Sequence, residues 1–311
     1  MSGQRIVIAG AGGFMGRYFA KRFRADGDTV VTVGRGGSDV VWGDTAALEA
    51  ALDGADVLVN LAGKSVNCRY THKNKAAIFS SRLLTTGELG RAVGAVAHPP
   101  AVWLNASTAT VYRHADDEPQ TDETGRIGSG FSVNVATAWE REFFVHHREG
   151  VRQVALRMAI VLGDGSALTP LLALTRFGLG GTQFGGKTHG GRQMFSWIHI
   201  ADVYRALRFI VADAEIDGPV NVSSPGPVQN RELMATLRRV VGARVGLPLS
   251  RWMLEIGAFA MRSETELLLK SRWVLPTRLQ SAGFEFDYPE LEPALREITG
   301  KPVEPEPVRV P

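Results

Sequence analysis

The chain has 311 residues, of which 44% are hydrophobic and 22% are charged. This length suits about two domains, and this composition excludes a wholly disordered chain. Lys and Arg (35) exceed Asp and Glu (32) only slightly, and the two signs are interspersed, so a nucleic-acid-binding stripe is not expected. The 35 glycines follow no collagen-like period and therefore indicate tight turns and close backbone approaches.

Short apolar runs and amphipathic stretches alternate through the first half of the chain. This alternation predicts a parallel sheet that is covered by helices on both faces. The predicted strands are residues 5–9, 29–33, 57–61, 101–106 and 153–162. The predicted helices are residues 16–25, 44–52, 73–96 and 131–147.

The pattern changes after Gly163. Residues 178–192 are rich in glycine and show little periodicity, which predicts a loop that forms a lid or a cleft wall. Residues 196–211 predict a short strand followed by a helix, and residues 220–222 predict a further strand. Residues after 225 are expected to be mostly helical, and the proline-rich residues 301–311 form an extended tail.

The cellular setting is predicted from cysteine, the N-terminus and the histidines. The single cysteine, Cys68, cannot form an internal disulfide, which fits a reducing compartment. No signal-peptide pattern is present, and no apolar run approaches the roughly 18 residues of a membrane span, so we expect a soluble cytoplasmic protein without a membrane partner. His146 and His147 are adjacent on a predicted helix and cannot face one metal ion, so no metal site is expected.

A glycine-rich turn follows the first predicted strand and opens the first predicted helix. Its residues are Gly10, Ala11, Gly12, Gly13, Phe14, Met15 and Gly16, a GxxGxxG spacing. Glycine lets the pyrophosphate of a dinucleotide approach the backbone, and the unpaired N–H groups of the helix N-terminus favour its charge. The context predicts a dinucleotide site that includes Gly10, Gly13, Phe14, Met15 and Gly16.

The end of the second predicted strand indicates which dinucleotide binds. NAD sites usually place a carboxylate there for the ribose 2′-hydroxyl, whereas an arginine accommodates the 2′-phosphate of NADP. This chain has Gly34 and Arg35 and no carboxylate, which favours NADP(H) with Arg35 as the phosphate clamp. Asp44 suits either the adenine side of the site or the N-cap of the next helix.

Several further motifs together resemble one family. They are the glycine turn, Asn60-Leu-Ala-Gly63, the segment 106–112 (ASTATVY), the segment 192–202 (RQMFSWIHIAD) and the segments 219–228 and 275–291. The set is similar to the atypical extended short-chain dehydrogenase/reductases, the NAD-dependent epimerase/dehydratase-like "epimerase family" proteins with a C-terminal helical domain of unknown function. The resemblance covers about residues 4–300.

The resemblance implies an α/β fold, a Rossmann-type doubly wound parallel sheet with a smaller, mostly helical C-terminal substrate domain. We expect residues 1–175 to form the NADP-binding domain, with 195–224 returning to it, and residues 176–194 and 225–300 to form the substrate domain. The resemblance also implies that Leu61, Ala62, Gly63, Arg82 and Ser107 contribute to the cofactor site.

The catalytic pair of ordinary family members is absent. They carry Tyr-x-x-x-Lys on one helix, where the lysine charge lowers the pKa of the tyrosine. None of the five tyrosines here is followed by lysine at that spacing, and Phe131 and Val135 stand where the pair is expected.

Other residues are therefore the catalytic candidates. The resemblance places Thr108 at the active-site hydroxyl position, Tyr112 ends the same loop as the best remaining phenol, and His114 titrates near neutrality. The resemblance also implies the leading substrate anchor, Arg192, because nucleotide-sugar enzymes pair an arginine about here with a substrate diphosphate, which suits its planar donor fork. Asn134 and Trp197 are further candidates. His199 is interpreted as a structural histidine.

We expect an NADP(H)-dependent oxidoreductase or epimerase that acts on a polar alcohol or ketone, with phosphorylated and nucleotide-linked compounds among the candidates. The alternative is an NADP(H)-binding regulatory protein that has lost turnover together with the catalytic pair. A homodimer is left open by the sequence.

Overall fold

A seven-stranded parallel sheet forms the centre of the computed structural model, which describes residues 3–166, 168–182, 190–247 and 270–302. The strand order is β10-β6-β5-β4-β1-β2-β3, so the chain runs outward from β1 in both directions. The strands of this sheet are β1 (Arg5–Ala9), β2 (Thr29–Gly34), β3 (Val40–Val41), β4 (Val57–Asn60), β5 (Val102–Thr108), β6 (Arg152–Met158) and β10 (Gly218–Val222). The carboxyl ends of β1 and β4 lie side by side where the order reverses, which is where such sheets bind ligands.

Helices cover both faces of this sheet, and further helices form the C-terminal part. They are α1 (Phe14–Ala25), α2 (Thr45–Leu52), α3 (His72–Ala95), α4 (Phe131–Val145), α5 (Leu168–Arg176), α6 (Ile200–Ala212), α7 (Asn230–Val241), α8 (Thr277–Ser281) and α9 (Leu291–Ile298). A 3-10 turn at Ala109–Val111 follows β5. The doubly wound parallel sheet and the smaller, helical C-terminal part confirm the predicted fold class.

The side chains of β1 show why the sheet needs two layers of helices. Ile6 and Ile8 pack with Phe19 and Phe23 of α1 and with α6, whereas Val7 and Ala9 pack with α2 and α3. Successive side chains of a strand point to opposite faces, and residues 6–9 of β1 are all apolar, so this strand requires cover on both sides. A third apolar cluster joins α5, α7 and α9 and forms the core of the C-terminal part.

The predicted strand 153–162 is wrong in one respect, because it is two strands in two different sheets. β6 ends at Met158, and β7 (Ile160–Leu162) pairs with β9 (Trp197–His199). Between them, the backbone N–H of Ala159 donates to the carbonyl oxygen of Val222. The apolar run continues from β6 into β7, whose three residues are buried or half-buried, so hydrophobicity alone does not reveal the break.

The strands and the helix predicted between residues 196 and 222 are present. The short strand and helix within residues 196–211 are β9 and α6, and β10 adds to the edge of the main sheet beside β6. A second small sheet joins β8 (Met194–Phe195) and β11 (Val228–Gln229). Residues 183–189 of the predicted loop, residues 248–269 of the predicted helical region and residues 303–311 of the predicted tail lie outside the described residues. No helix of the described residues is both long and apolar enough to cross a membrane.

Candidate functional site

The glycine turn after β1 leaves no room for side chains at two of its positions. A Cβ atom on Gly10, whose φ is +82°, would lie 2.8 Å from the backbone of Leu61 and Ala62. A Cβ atom on Gly16 would lie 2.5 Å from the carbonyl oxygen of Gly10. These distances are below van der Waals contact, so glycine is required for β1, the start of α1 and the end of β4 to approach one another.

The N-terminus of α1 is open to an anion. Its N-cap residue, Gly13, makes no side-chain hydrogen bond to the helix, and its own N–H donates to Gly10. The backbone N–H groups of Phe14, Met15 and Gly16 therefore have no side-chain cap, and the helix dipole favours negative charge at this end. This arrangement fits the pyrophosphate of a dinucleotide, the group that the sequence predicted here.

Arg35 stands at the carboxyl end of β2, next to this turn. Its side chain is exposed and makes no hydrogen bond or ion pair with any described residue. Gly34 before it is buried, and a Cβ atom there would lie 2.3 Å from the hydroxyl of Ser38. The chain is thus tightly folded at Gly34, and the guanidinium of Arg35 makes no contact with a described acceptor. This arrangement fits a phosphate on the adenosine ribose.

Asp44 caps α2. Its carboxylate accepts a hydrogen bond of 3.0 Å from the N–H of Ala47, in the geometry of an N-cap. Of the two roles that the sequence left open for Asp44, this contact supports the cap.

A buried amide network fixes the loop after β4. The side-chain oxygen of Asn60 accepts from the N–H of Ala62 at 3.0 Å, and its amide nitrogen donates to Thr86 and to Asn105. Thr86 also accepts the indole N–H of Trp139 at 2.9 Å. These bonds hold Leu61, Ala62 and Gly63 against the glycine turn, where the resemblance places them in the cofactor site.

Arg82 of α3 lies directly against Gly63. A Cβ atom on Gly63 would be 3.2 Å from the guanidinium carbon, and the guanidinium stacks on Trp139 at 5.0 Å. Arg82 donates to the carbonyl oxygens of Lys64 and Ile78, but no carboxylate of the described residues pairs with it. Burial lowers its pKa to about 10, and interaction with Tyr70 acts in the opposite direction. The result is a half-buried cation without an acidic partner beside the predicted cofactor path.

Thr108 and Ser107 end β5, which lies next to β4 in the sheet. The Ser107 hydroxyl is buried and donates to Glu140 at 2.6 Å. Thr108 is half-buried, and its hydroxyl oxygen accepts from the N–H of Thr110 at 3.1 Å while its own proton is available to another acceptor. Thr108 is therefore suited to contact a ligand, whereas Ser107 supports the loop from beneath.

Tyr112 is a buried member of a polar network. Its side chain is 2% exposed, and its hydroxyl donates to Asn221 at 2.8 Å and accepts from Arg157 at 3.1 Å. Burial raises the pKa of Tyr112, and the neighbouring Arg157 charge offsets only part of this effect. Both hydrogen-bonding directions of the phenol are already used inside the protein, so a catalytic role would require this network to open.

His114 is tied to the C-terminal part of the chain. Its Nδ1 accepts from the N–H of Ser271 at 3.1 Å, and its Nε2 lies 3.9 Å from the carboxylate of Asp116. The Ser271 hydroxyl donates to the carbonyl oxygen of Ala115, and Lys270 donates to the carbonyl oxygen of Thr110. The histidine predicted to be catalytic thus also fixes the 108–116 loop to residues 270–271.

The predicted substrate residues have different surroundings. Trp197 is 0% exposed, and its indole N–H donates to the carbonyl oxygen of Gly226, so in this arrangement none of its side chain can reach a ligand. Asn134 is exposed on α4. Arg192 is exposed.

His199 has structural contacts. Its Nε2 lies 3.0 Å from the Glu297 carboxylate, its Nδ1 accepts from the N–H of Ala201, and its ring packs on Tyr288. Burial lowers the pKa of His199 against the opposing effect of Glu297. In the part of the chain that the structure describes, no group of three His, Cys, Asp or Glu side chains is arranged to hold a metal ion.

Tyr70, which lies near the candidate site, belongs to none of the sequence motifs described above. Tyr70, in the loop between β4 and α3, packs its ring on Phe131 with centroids 5.0 Å apart. The charge pattern of the sequence points to this segment, because residues 64–87 contain five Lys or Arg residues and no Asp or Glu. Such a segment at the end of a strand indicates a surface for anions.

The glycine turn, the free arginine after β2 and the parallel sheet define a dinucleotide-binding protein of the Rossmann type. Residues 6–223 match the NAD dependent epimerase/dehydratase family, so the chain belongs to this family. Residues 249–298 match DUF1731, a domain of unknown function, as the resemblance implied.

Three relatives extend this result. The epimerase family protein YfhF of Bacillus subtilis is 31% identical over 94% of this chain and 97% of its own length. The crystal structure of the human epimerase family protein SDR39U1 with NADPH is 29% identical, covers 95% of this chain and 99% of that one, and has a TM-score of 0.84. The nucleoside-diphosphate sugar epimerase of Corynebacterium glutamicum is 27% identical with a TM-score of 0.74, and the match covers 98% of this chain and 63% of that chain.

Proposed function

We propose that this protein is an NADP(H)-dependent oxidoreductase or epimerase that acts on a polar alcohol or ketone, with nucleotide-linked and phosphorylated compounds as the leading substrate class. The main support for NADP(H) binding is the N-terminus of α1, which has no side-chain cap and follows the turn of Gly10 and Gly16. The exposed Arg35 lies beside it. The human relative that was crystallised with NADPH supports the same cofactor.

The chain's own residues have separate tasks in this proposal. Gly10, Gly13 and Gly16 admit the pyrophosphate to the helix N-terminus, and Arg35 binds the 2′-phosphate. The half-buried hydroxyl of Thr108 donates a hydrogen bond to the substrate oxygen and orients it. When bound, the nicotinamide supplies or accepts a hydride, which is a carbon-bound proton with two electrons.

The substrate class follows from the charge around the site. Lys64 lies in the loop after β4, Lys75 and Arg82 lie on α3 directly after it, and Arg82 has no carboxylate partner among the described residues. A cationic, partly desolvated surface favours anionic ligands. The C. glutamicum relative named for nucleoside-diphosphate sugars supports this class, and Arg192 is the proposed anchor for the diphosphate.

The test combines cofactor binding with turnover. NADPH fluorescence gives the binding constant, and absorbance near 340 nm is followed while nucleotide-linked and phosphorylated ketones are added. Product analysis detects an epimerase, which regenerates its cofactor without a net change in absorbance. Thr108→Val is expected to reduce turnover while the NADPH affinity is unchanged, and Thr45→Val, an exposed position on α2, is the matched control. Absence of NADPH binding by the parent protein would overturn the proposal.

A second candidate is an NADP(H)-binding regulatory protein without turnover. It is favoured by Phe131 and Val135 at the positions of the usual catalytic pair and by the buried, fully bonded hydroxyl of Tyr112. Tight NADPH binding with neither oxidation nor epimerised product across the whole panel selects this candidate.

We also propose a cytoplasmic location and a homodimer. The single cysteine favours a reducing, cytoplasmic setting, which fractionation of the source cells measures. A homodimer is supported by the apolar outer surface of α3, where Leu84 is 69% exposed beside Phe79 and Leu83, and light scattering gives the mass in solution.

A further inference from the structure

A phenol lies beside the position that the catalytic tyrosine occupies in ordinary family members. Phe131 stands at that position on α4, and the ring of Tyr70 meets it at 5.0 Å between centroids with the planes at 66°. Tyr70 comes from the loop after β4, immediately before Thr71, whose side chain caps α3. The phenyl ring of Phe131 therefore cannot move a proton, but it is in contact with a side chain that can.

Two cations lie on the adjoining helix α3. The ammonium of Lys75 is 5.3 Å from the centre of the Phe131 ring, and the guanidinium of Arg82 lies under Gly63 on the predicted cofactor path. Interaction with Tyr70 raises the pKa of Arg82, although the larger effect of burial lowers it. Electrostatic coupling is reciprocal, so a charge on Arg82 favours the ionised form of the Tyr70 phenol.

The other candidates are less suited to moving a proton. The Tyr112 phenol is bonded to Asn221 and Arg157 in the interior. The Nδ1 of His114 already accepts a backbone N–H, and an aliphatic hydroxyl such as that of Thr108 does not ionise near neutral pH.

We propose that Tyr70 is the proton donor and acceptor of this site, with Arg82 as the positioning cation, so that the two replace the usual tyrosine and lysine. This inference rests on the proposed function. In the reducing direction, the O–H bond of Tyr70 breaks and the proton joins the oxygen of a substrate ketone. The carbonyl carbon takes the hydride of a reduced nicotinamide dinucleotide, and the phenolate regains a proton from water. The ketone is thereby reduced to an alcohol and the dinucleotide is oxidised.

A titration without cofactor or substrate tests the electrostatic half of the proposal. Phenolate absorbance near 295 nm reports each ionising tyrosine, and the chain has only five. Burial raises the pKa values of the other four, which are Tyr18, Tyr112, Tyr204 and Tyr288. We expect one tyrosine to ionise at lower pH than the rest, and this first step to be absent in Tyr70→Phe.

Three variants assign that step. Tyr18→Phe, which removes a half-buried phenol from α1, keeps the first step and serves as the matched control. Arg82→Gln shifts the step to higher pH, whereas Arg82→Lys, which retains a charge, preserves most of it. The assignment would be overturned if the first step persists in Tyr70→Phe, or if its pH is unchanged in Arg82→Gln. Thermal unfolding of each variant shows that it is folded.

The activity measurement separates this inference from the proposed function. With a substrate in hand, Tyr70→Phe should lower kcat by about 100-fold or more, the usual contribution of a general acid or base, while the NADPH dissociation constant stays within about 2-fold. The pH profile of kcat should move with Arg82→Gln. Full turnover in Tyr70→Phe would refute the inference and leave the proposed function intact, whereas loss of NADPH binding in the parent would refute the function.

Discussion

Glu140 and Arg157 form a bidentate ion pair beneath the candidate site. The Nε of Arg157 donates to Glu140 at 2.9 Å and a terminal nitrogen donates to the second oxygen at 2.8 Å, with both side chains nearly buried. Burial lowers the pKa of Arg157, but its bonds to Glu140 more than offset this effect and raise the pKa above its ordinary value. Because Glu140 also accepts from Ser107, the pair joins β6 to α4 and to the end of β5.

Glu140→Gln should therefore destabilise the protein strongly. It leaves the Arg157 charge buried without a counter-ion, a change that typically costs about 3–5 kcal/mol. Urea unfolding measures the free energy, and Glu149→Gln, an exposed position after the same helix, should change it by no more than about 0.5 kcal/mol. An equally small effect of Glu140→Gln would show that the pair contributes little.

Gly16→Ala should disrupt the glycine turn that we propose as the cofactor site. The new methyl group would lie 2.5 Å from the carbonyl oxygen of Gly10 and 2.6 Å from the Cα of Ala11, so the backbone must shift. We expect NADPH affinity to fall by about 10-fold or more, equivalent to about 1.4 kcal/mol. Gly12→Ala is the control, because a Cβ atom there meets nothing within 4 Å, and unchanged NADPH binding in Gly16→Ala would contradict the close approach.

Arg35→Asp should reverse the cofactor preference. The substitution replaces a cation with an anion at the proposed 2′-phosphate site and supplies the carboxylate that NAD sites use. We expect NADPH to bind about 10- to 100-fold more weakly, in line with about 1.5–3 kcal/mol for a hydrogen bond to a charged group, and NADH to bind at least as well as before. Fluorescence titrations with both cofactors measure this difference.

Arg141→Asp makes the same charge change at an exposed position on α4 and controls for the overall field of the protein. If the parent protein binds NADPH and NADH equally, Arg35 is not the phosphate clamp.

Alkaline pH should destabilise the fold through its buried tyrosines. Burial raises the pKa values of Tyr112 and Tyr204, and the hydrogen bond from Tyr204 to Asp26 adds to the effect. In the unfolded chain tyrosine ionises near pH 10, so above this pH the unfolded state binds fewer protons than the folded state. Above about pH 10 the free energy of unfolding therefore falls as pH rises. Below about pH 10 the stabilisation from these two phenols is fully present.

Urea unfolding between pH 8 and pH 11 measures this slope. Tyr204→Phe removes one of the two groups, so its stability should fall less steeply with pH than that of the parent. A parent curve that stays flat through this range would be inconsistent with two protonated, buried phenols.

Sequence patterns were sufficient for the parts of the molecule that local chemistry determines. β1 begins and ends where predicted, at Arg5 and Ala9, because a short apolar run ends in a glycine turn. α4 begins at Phe131 as predicted, and its end at Val145 is within two residues. Such features depend on neighbours in sequence, which periodicity and turn residues report directly.

The surroundings of individual side chains depend on distant parts of the chain. Trp197 and Tyr112 were selected from motif positions, but their polar atoms bond to Gly226 and Asn221, far along the sequence. Tyr70 does not match the Tyr-x-x-x-Lys spacing, because the residue four positions later is Asn74. Its relation to Arg82 arises only when the loop after β4 folds against α3.

The bonds between the 108–122 segment and residues 270–278 make the division into two domains incomplete. Arg272 donates to the Thr110 hydroxyl, and the Asp122 carboxylate accepts from the hydroxyl of Thr277 and the N–H of Arg278. A chain cut after β10 would retain every strand of the main sheet and still lose the partners that fix the 108–122 segment. The nucleotide-binding part should therefore not work as a separately expressed module, because residues 270–278 hold the 108–122 segment in place.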